Sequence, residues 1–318
     1  MSKKTDKTVA ETVLFCLAVA IIVLLCIAMV HGSWGRTFVI EARTFGATVA
    51  LRGDVNNWEL EEVVLCRARA LPDLKAVDGP FCPAVIFEET EAGPRVVAWP
   101  SGATIALRYK LDGSMVIEVL SGAEPEFKRG DRLIVPGHIW SRHPALSING
   151  AIVFGSDIGS GSNDYLLSGH WEARQSSFAA SWFRATLELV RQGEFSRGAT
   201  AEVWTSPRFF GLGKSSRPAN MFGHITPSFD QDEPGLILSA ISETTSLEMH
   251  LRYYGVSQKS VVRPDILDTI LTSPVILAAA ALLGILSLMI ELGKNIPMNR
   301  EIYARALGFF RRLWPRGR

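Results

Sequence analysis

Residues Ala103–Val119 read ATIALRYKLDGSMVIEV. Apolar side chains recur at every second position on either side of Asp112-Gly113, and a strand sends alternate side chains to opposite faces of a sheet. The stretch therefore predicts two strands, each with one buried face. Asp112-Gly113 between them predicts the hairpin turn, because both corner residues of a type I′ turn need positive φ.

The same period of two returns at Thr37–Leu51 and Ala185–Val190, and further strands are expected at Arg132–Pro136, Leu146–Phe154, Tyr165–Arg174, Thr200–Trp204, Gly235–Ser242 and Leu247–Tyr254. Turn residues such as Pro100-Ser101-Gly102, Ser121-Gly122, Asn149-Gly150 and Ser196-Arg197-Gly198 separate them. Many short strands with few helical patterns predict a mainly β, sandwich-like or barrel domain over residues 31–269, not an α/β enzyme fold. It forms one large module or two small ones. In the second case the joint is expected at residues 121–130, SGAEPEFKRG, which are polar and hold Pro125 and two glycines.

Two apolar runs bracket this domain. Residues 13–30, VLFCLAVAIIVLLCIAMV, follow Lys3, Lys4 and Lys7, and residues 270–290, ILTSPVILAAAALLGILSLMI, contain no charge. A helix crossing about 30 Å of hydrocarbon needs about 20 residues at about 1.5 Å each. Both runs are therefore expected to be transmembrane helices. A cleaved signal peptide would have a shorter apolar region ending in a small-x-small site, which Ala28-Met29-Val30-His31 does not supply. Phe15 and Leu25 precede Cys16 and Cys26, where a lipoprotein cleavage site would place a small residue. The second run shows no polar stripe, and Ala278–Ala281 with Gly284 would let another helix approach closely.

Charge sets the expected orientation. Residues 1–12 and 291–318 together carry ten of the 33 basic residues and only four of the 32 acidic ones, whereas 31–269 hold 23 basic and 28 acidic. Basic flanks remain cytoplasmic, so both termini are expected inside and the acidic centre outside. Cys66 and Cys82 would then face an oxidising compartment, and a disulfide between them is expected. None of the seven asparagines begins an Asn-x-Ser/Thr site, and together these features predict a bacterial inner-membrane protein with a periplasmic domain. In the tail, Met298, Ile302, Ala306, Phe309, Phe310 and Leu313 recur at helical spacing, with Arg300, Arg305, Arg311 and Arg312 between them and Trp314 following. That pattern predicts a helix lying at the lipid interface.

Reactive constellations are sparse. His138 and His143, five apart in PGHIWSRHP, would face opposite sides of a strand, which makes a shared metal awkward, and Pro144 argues against helix. His170, Trp171 and Glu172 in SGHWEAR form the candidate ligand-binding group, with His170 and Glu172 on one face and Trp171 on the other. The loop Gly155–Asp164 lacks a phosphate-loop lysine, and Asp157, Asn163 and Asp164 match no EF-hand spacing. No Gly-x-Ser-x-Gly elbow and no Cys/His zinc spacing occurs. No catalytic residue, metal or cofactor is therefore assigned, and an acidic outer domain disfavours nucleic acid.

The function expected from these features is that of a binding, scaffold or assembly component of an envelope complex, with the bilayer and another membrane or periplasmic protein as partners. The alternative is polysaccharide binding or processing, with Trp99, Trp140, Trp171, Trp182 and Trp204 as stacking platforms. A transmembrane sensor is a further alternative.

Overall fold

The computed structural model describes residues 36–262 except 54, 91, 157–162, 177–186, 206–215, 229–233, 243–246, 255 and 257, together with residues 280, 281, 284, 285, 287 and 288. Contacts divide the chain into two units, Met1–Asp268 and Thr269–Arg318. In the second unit the six described residues are helical and exposed. Among the described residues no helix is long and apolar enough to cross a membrane. The run 13–30, the tail residues Arg305, Phe309, Phe310, Arg311, Arg312 and Trp314, and all but six residues of 270–290 lie outside the described residues.

The first unit is mainly β. Its strands are β1 (Arg36–Thr44), β2 (Gly46–Leu51), β3 (Asn57–Ala68), β4 (Phe87–Glu89), β5 (Gly93–Ala98), β6 (Thr104–Tyr109), β7 (Met115–Ser121), β8 (Arg132–Val135) and β9 (Leu146–Phe154). They continue with β10 (Leu166–Ser176), β11 (Leu187–Glu194), β12 (Thr200–Thr205), β13 (Arg217–Pro218), β14 (Met221–Pro227), β15 (Leu236–Ser242), β16 (Leu247–Arg252) and β17 (Ser260–Val262). One helical turn, α1 (Gly137–Trp140), separates β8 from β9.

These strands join in one open antiparallel sheet that forks at β9. Gly150 pairs with both Leu51 of β2 and Met221 of β14, and Phe154 pairs with both Ala47 of β2 and Ala201 of β12. One edge of β9 thus carries β2, while the other is divided between β14 and β12. From β2 the ladder runs through β6, β7 and β8 to β3 and β5, forming a first wing. From β14 it runs through β15 and β1 to β10 and β11, and from β12 to β16 and β17, forming the second.

Side chains complete what the ladders leave open. The buried Asn56 carboxamide accepts from Asn149 N (2.7 Å) and donates to Asn149 O (3.1 Å), and Trp58 Nε1 donates to Ser147 O at 2.7 Å. The start of β3 is thereby tied to β9 although the two share no ladder. An unpaired buried amide would cost about 1–3 kcal/mol, so this carboxamide does for Asn149 what a neighbouring strand would.

A single apolar core serves both wings. Phe38, Ile40, Trp171 and Met249 of the second wing cluster with Trp58, Ile105, Leu107 and Ile117 of the first. Segment 121–130 lies within this core's first wing, linking β7 to β8, which pair with each other. A smaller cluster of Val64, Cys66, Cys82, Phe87, Val116 and Ile134 lies on the other face of β3, β7 and β8. There Cys66 and Cys82 are bridged, with Cα atoms 5.9 Å apart.

Three local expectations change on folding. Asp112-Gly113 is not a two-residue corner. Gly113 N donates to Lys110 O at 2.9 Å and Lys110 N to Ser114 O at 2.9 Å, so Leu111-Asp112 form the corner and Gly113 follows at φ 85°. That is the three-residue hairpin loop, in which only the residue after the turn must be left-handed. PGHIWSRHP contains the helical turn that Pro144 was expected to prevent, because Pro136 precedes it at φ −57° and Pro144 falls after it. Thr37–Leu51 is not one strand. Phe38, Ile40 and Ala42 are buried in β1 but Ala47, Val49 and Leu51 in β2, and this change of parity marks a bend at Phe45.

Candidate functional site

The bend at Phe45 is where the chain passes from the second wing to the first. Buried Thr44 holds it: its hydroxyl donates to Gly46 O at 2.6 Å and lies 3.1 Å from Gly46 N. Phe45 itself, lying between the strands, donates from N to Tyr165 O (3.0 Å) and accepts at O from Tyr109 N (2.7 Å). Three aromatic residues distant in sequence are thus joined through one backbone peptide unit on each side.

Their rings form a corner. Phe45 and Tyr109 are near-parallel, with centroids 6.2 Å apart, and Tyr165 meets Phe45 edge-on at 5.2 Å and 88°. All three are half-buried. They line a cleft of about 590 Å³ whose other walls come from the β6–β7 hairpin, from Arg132 of β8 and from Asn163 and Asp164. Small-ligand clefts span about 300–1,000 Å³, so this one has room for a ligand.

The charges in and behind the cleft are cross-paired. Arg108 donates to Asp164 Oδ2 at 2.7 Å and to Glu118 Oε2 at 2.6 Å, and Arg132 Nη2 lies 3.4 Å from the same Glu118 oxygen. Gly46 is required at this point. A Cβ there would lie 2.4 Å from Asp164 Cβ, so only glycine lets Asp164 pack over β2 and reach Arg108. On the rim, burial opposes ionisation of Asp112, but hydrogen bonds from Ser114 and the charge of Lys110 outweigh it and hold its carboxyl below the ordinary value. Burial and the Asp112 carboxylate together push the Tyr109 phenol up, so its hydroxyl keeps its proton. Among the described residues the cleft therefore offers apolar ring surface, donors and acceptors, and three cations (Arg108, Lys110, Arg132) lie in or behind it with three carboxylates (Asp112, Glu118, Asp164).

The expected ligand group lies elsewhere. Trp171 is buried against Phe38, with ring centroids 6.3 Å apart, and covers Gly193, where a Cβ would come within 2.7 Å of the indole. His170 is exposed on the opposite face of β10, in register between Glu41 of β1 and Glu194 of β11. Glu172 shares that face and pairs with Arg174 at 2.6 Å. Strand geometry places the three residues as alternation requires, and none of them lines the cleft at the wing junction.

The remaining candidates disperse. His138 is exposed beside Glu62 at 3.7 Å, whereas His143 is buried, with its ring nitrogens 2.8 Å from Pro144 O and 3.2 Å from Glu59 O. Of the tryptophans weighed as platforms, Trp99, Trp140 and Trp171 are buried in the core, Trp182 lies outside the described residues, and Trp204 stacks on His250 at 5.2 Å. His250 in turn lies 3.0 Å from buried Glu248. Of the loop residues weighed for calcium, Asp157 lies outside the described residues, while Asn163 and Asp164 line the cleft. No group that could hold a metal ion occurs among the described residues.

Sequence reasoning did not find the cleft. Phe45 lay inside the expected strand stretch Thr37–Leu51, Tyr109 inside Ala103–Val119 and Tyr165 at the start of Tyr165–Arg174, and nothing in their spacing joins them. One signal was present: the shift of apolar parity from Phe38, Ile40 and Ala42 to Ala47, Val49 and Leu51 marks the bend. No protein family matches this chain, and neither does any curated protein or solved structure.

Proposed function

We propose that the chain is a binding or scaffold component of an envelope complex in the bacterial inner membrane. In this reading residues 13–30 and 270–290 span the bilayer, both termini are cytoplasmic, and the mainly β domain is sandwich-like and periplasmic. The basic aromatic tail, with Arg305, Phe309, Phe310, Arg311, Arg312 and Trp314, lies on the inner lipid surface. The apolar runs and the charge asymmetry described above support the layout.

The observation that carries the binding role is the loop closed by Cys66 and Cys82. Its inner side, with Phe81 and Cys82, packs against Val64 of β3 and Ile134 of β8, whereas Leu71, Leu74 and Val77 face solvent with 80%, 86% and 90% of their surface exposed. Large apolar side chains grouped on a braced loop are a liability to a free protein and an asset to one that docks. The cross-link reduces the ordering entropy that docking would otherwise cost.

A test uses the full-length protein in intact spheroplasts. A photo-crosslinking residue at position 74 is expected to give one discrete protein adduct, which Leu71→Asp removes. A membrane-impermeant amine reagent is expected to modify Lys75 on the same loop and spare Lys294 in the tail. No adduct at position 74 sinks the docking role, and labelling of Lys294 with protection of Lys75 sinks the topology.

A further inference from the structure

We propose that the cleft at the wing junction binds an uncharged glycan, seating a pyranose ring in the corner formed by Phe45, Tyr109 and Tyr165. Polysaccharide was the alternative expected from five tryptophans, of which the fold buries Trp99, Trp140 and Trp171. This site uses none of them, and it shares no residue with the cystine loop, so the two proposals stand or fall separately.

Ligand chemistry follows from what the walls offer. Phe45 and Tyr109, stacked near-parallel, and Tyr165, edge-on to Phe45, present apolar ring surface to the cleft. A pyranose has the matching form: apolar C–H faces and a rim of hydroxyl groups, each both donor and acceptor. The cleft walls carry both donors and acceptors. Tyr109 keeps its phenolic proton, Arg108 and Lys110 donate only, and Asp112, Asp164 and the Asn163 carbonyl accept. Vicinal hydroxyls bridge such pairs.

Competing ligands fit less well. Arg108 is matched by Asp164 and Glu118, and Arg132 shares Glu118, so an anionic polymer would have to break existing ion pairs to gain its own. A peptide entering by strand addition needs an open ladder edge. The strands that wall the cleft have none, because β6 pairs with β2 and β7, and β7 with β6 and β8. Leu111, almost wholly exposed at the hairpin tip, extends the apolar wall at the mouth.

The test is calorimetry on the full-length protein in lipid nanodiscs, which avoid sugar detergents. The probes are maltohexaose, cellohexaose and chitohexaose, set against oligogalacturonate and a hyaluronan hexamer. At least one uncharged hexamer is expected to bind, with little dependence on salt, while the anionic ones do not. Tyr109→Ala and Tyr165→Ala are each expected to weaken binding roughly tenfold, the factor that about 1.4 kcal/mol carries. Lys110→Ala, at an exposed rim position outside the core, is expected to weaken it severalfold in a protein whose fold is untouched. No binding by any uncharged hexamer, binding by the anionic probes alone, or affinity unchanged across the Tyr→Ala and Lys110→Ala variants overturns the proposal.

Discussion

At the scale of residues, the wing junction depends on a few atoms. Thr44 folds its hydroxyl onto Gly46, and the missing side chain of Gly46 lets Asp164 approach Arg108. Asp112 acts one turn away. Its carboxylate accepts from the backbone N of Ser114 at 2.8 Å and from the hydroxyl. A folded-state value below the unfolded one means that the ionised form is favoured by folding. The stability this contributes is fully present above the ordinary value of 3.8 and is lost as pH falls through the depressed folded value. A carbon-detected NMR titration is expected to place the Asp112 midpoint below 3.8, with Ser114→Ala moving it part of the way back. A midpoint at or above 3.8 would show that the hydrogen bonds do not hold the turn.

Among elements, β3 shows why a long strand can hide in a sequence. NWELEEVVLCRA places Trp58 and Leu60 inward, then slips register between Leu60 and Val63, after which Val63 and Leu65 face the same core. A β-bulge at Glu61-Glu62 changes the phase, so no single alternation spans the strand. Val64 and Cys66 are also buried, because the cystine loop covers the outer face. Cross-linking two residues 16 apart in sequence stabilises by about 3 kcal/mol on the chain-entropy account. A Cys66→Ser/Cys82→Ser variant is expected to lose about that much in urea unfolding, and its loop from Arg69 to Ile86 should become the first site of proteolysis. Unchanged stability would mean that Phe81 and Phe87 hold the cover without the cross-link. Strand β14 was hidden for a different reason: Gly223 interrupts the apolar pattern because a Cβ there would lie 2.1 Å from Ser239 O.

Over the whole molecule, the fork at β9 bears on whether the β region is one module or two. Both wings pair with the same nine-residue strand, β9, and share one apolar core. Neither wing can leave without exposing the other's buried face, so they are expected to unfold together. Native-state hydrogen exchange is the measure, with the most protected amides of β6 and β15 reporting the same opening free energy. Protection that survives in one wing after the other has lost it would reveal two independent modules.

Read alone, the sequence determined the class of fold, most strands with a clean period of two, and the Cys66–Cys82 pair. These are local properties: alternation follows from strand geometry, and two cysteines in one short loop have few partners to choose from. It could not determine that β1 and β2 belong to different wings, that Asn56 substitutes for a ladder on β9, or that Phe45, Tyr109 and Tyr165 meet. Contacts between residues tens of positions apart leave no periodic trace in the chain. They arise only when the sheet bends at Phe45 and forks at β9, bringing distant strand ends to one junction. Tertiary structure therefore decided the site, because a cleft is made by surfaces that the sequence encodes separately.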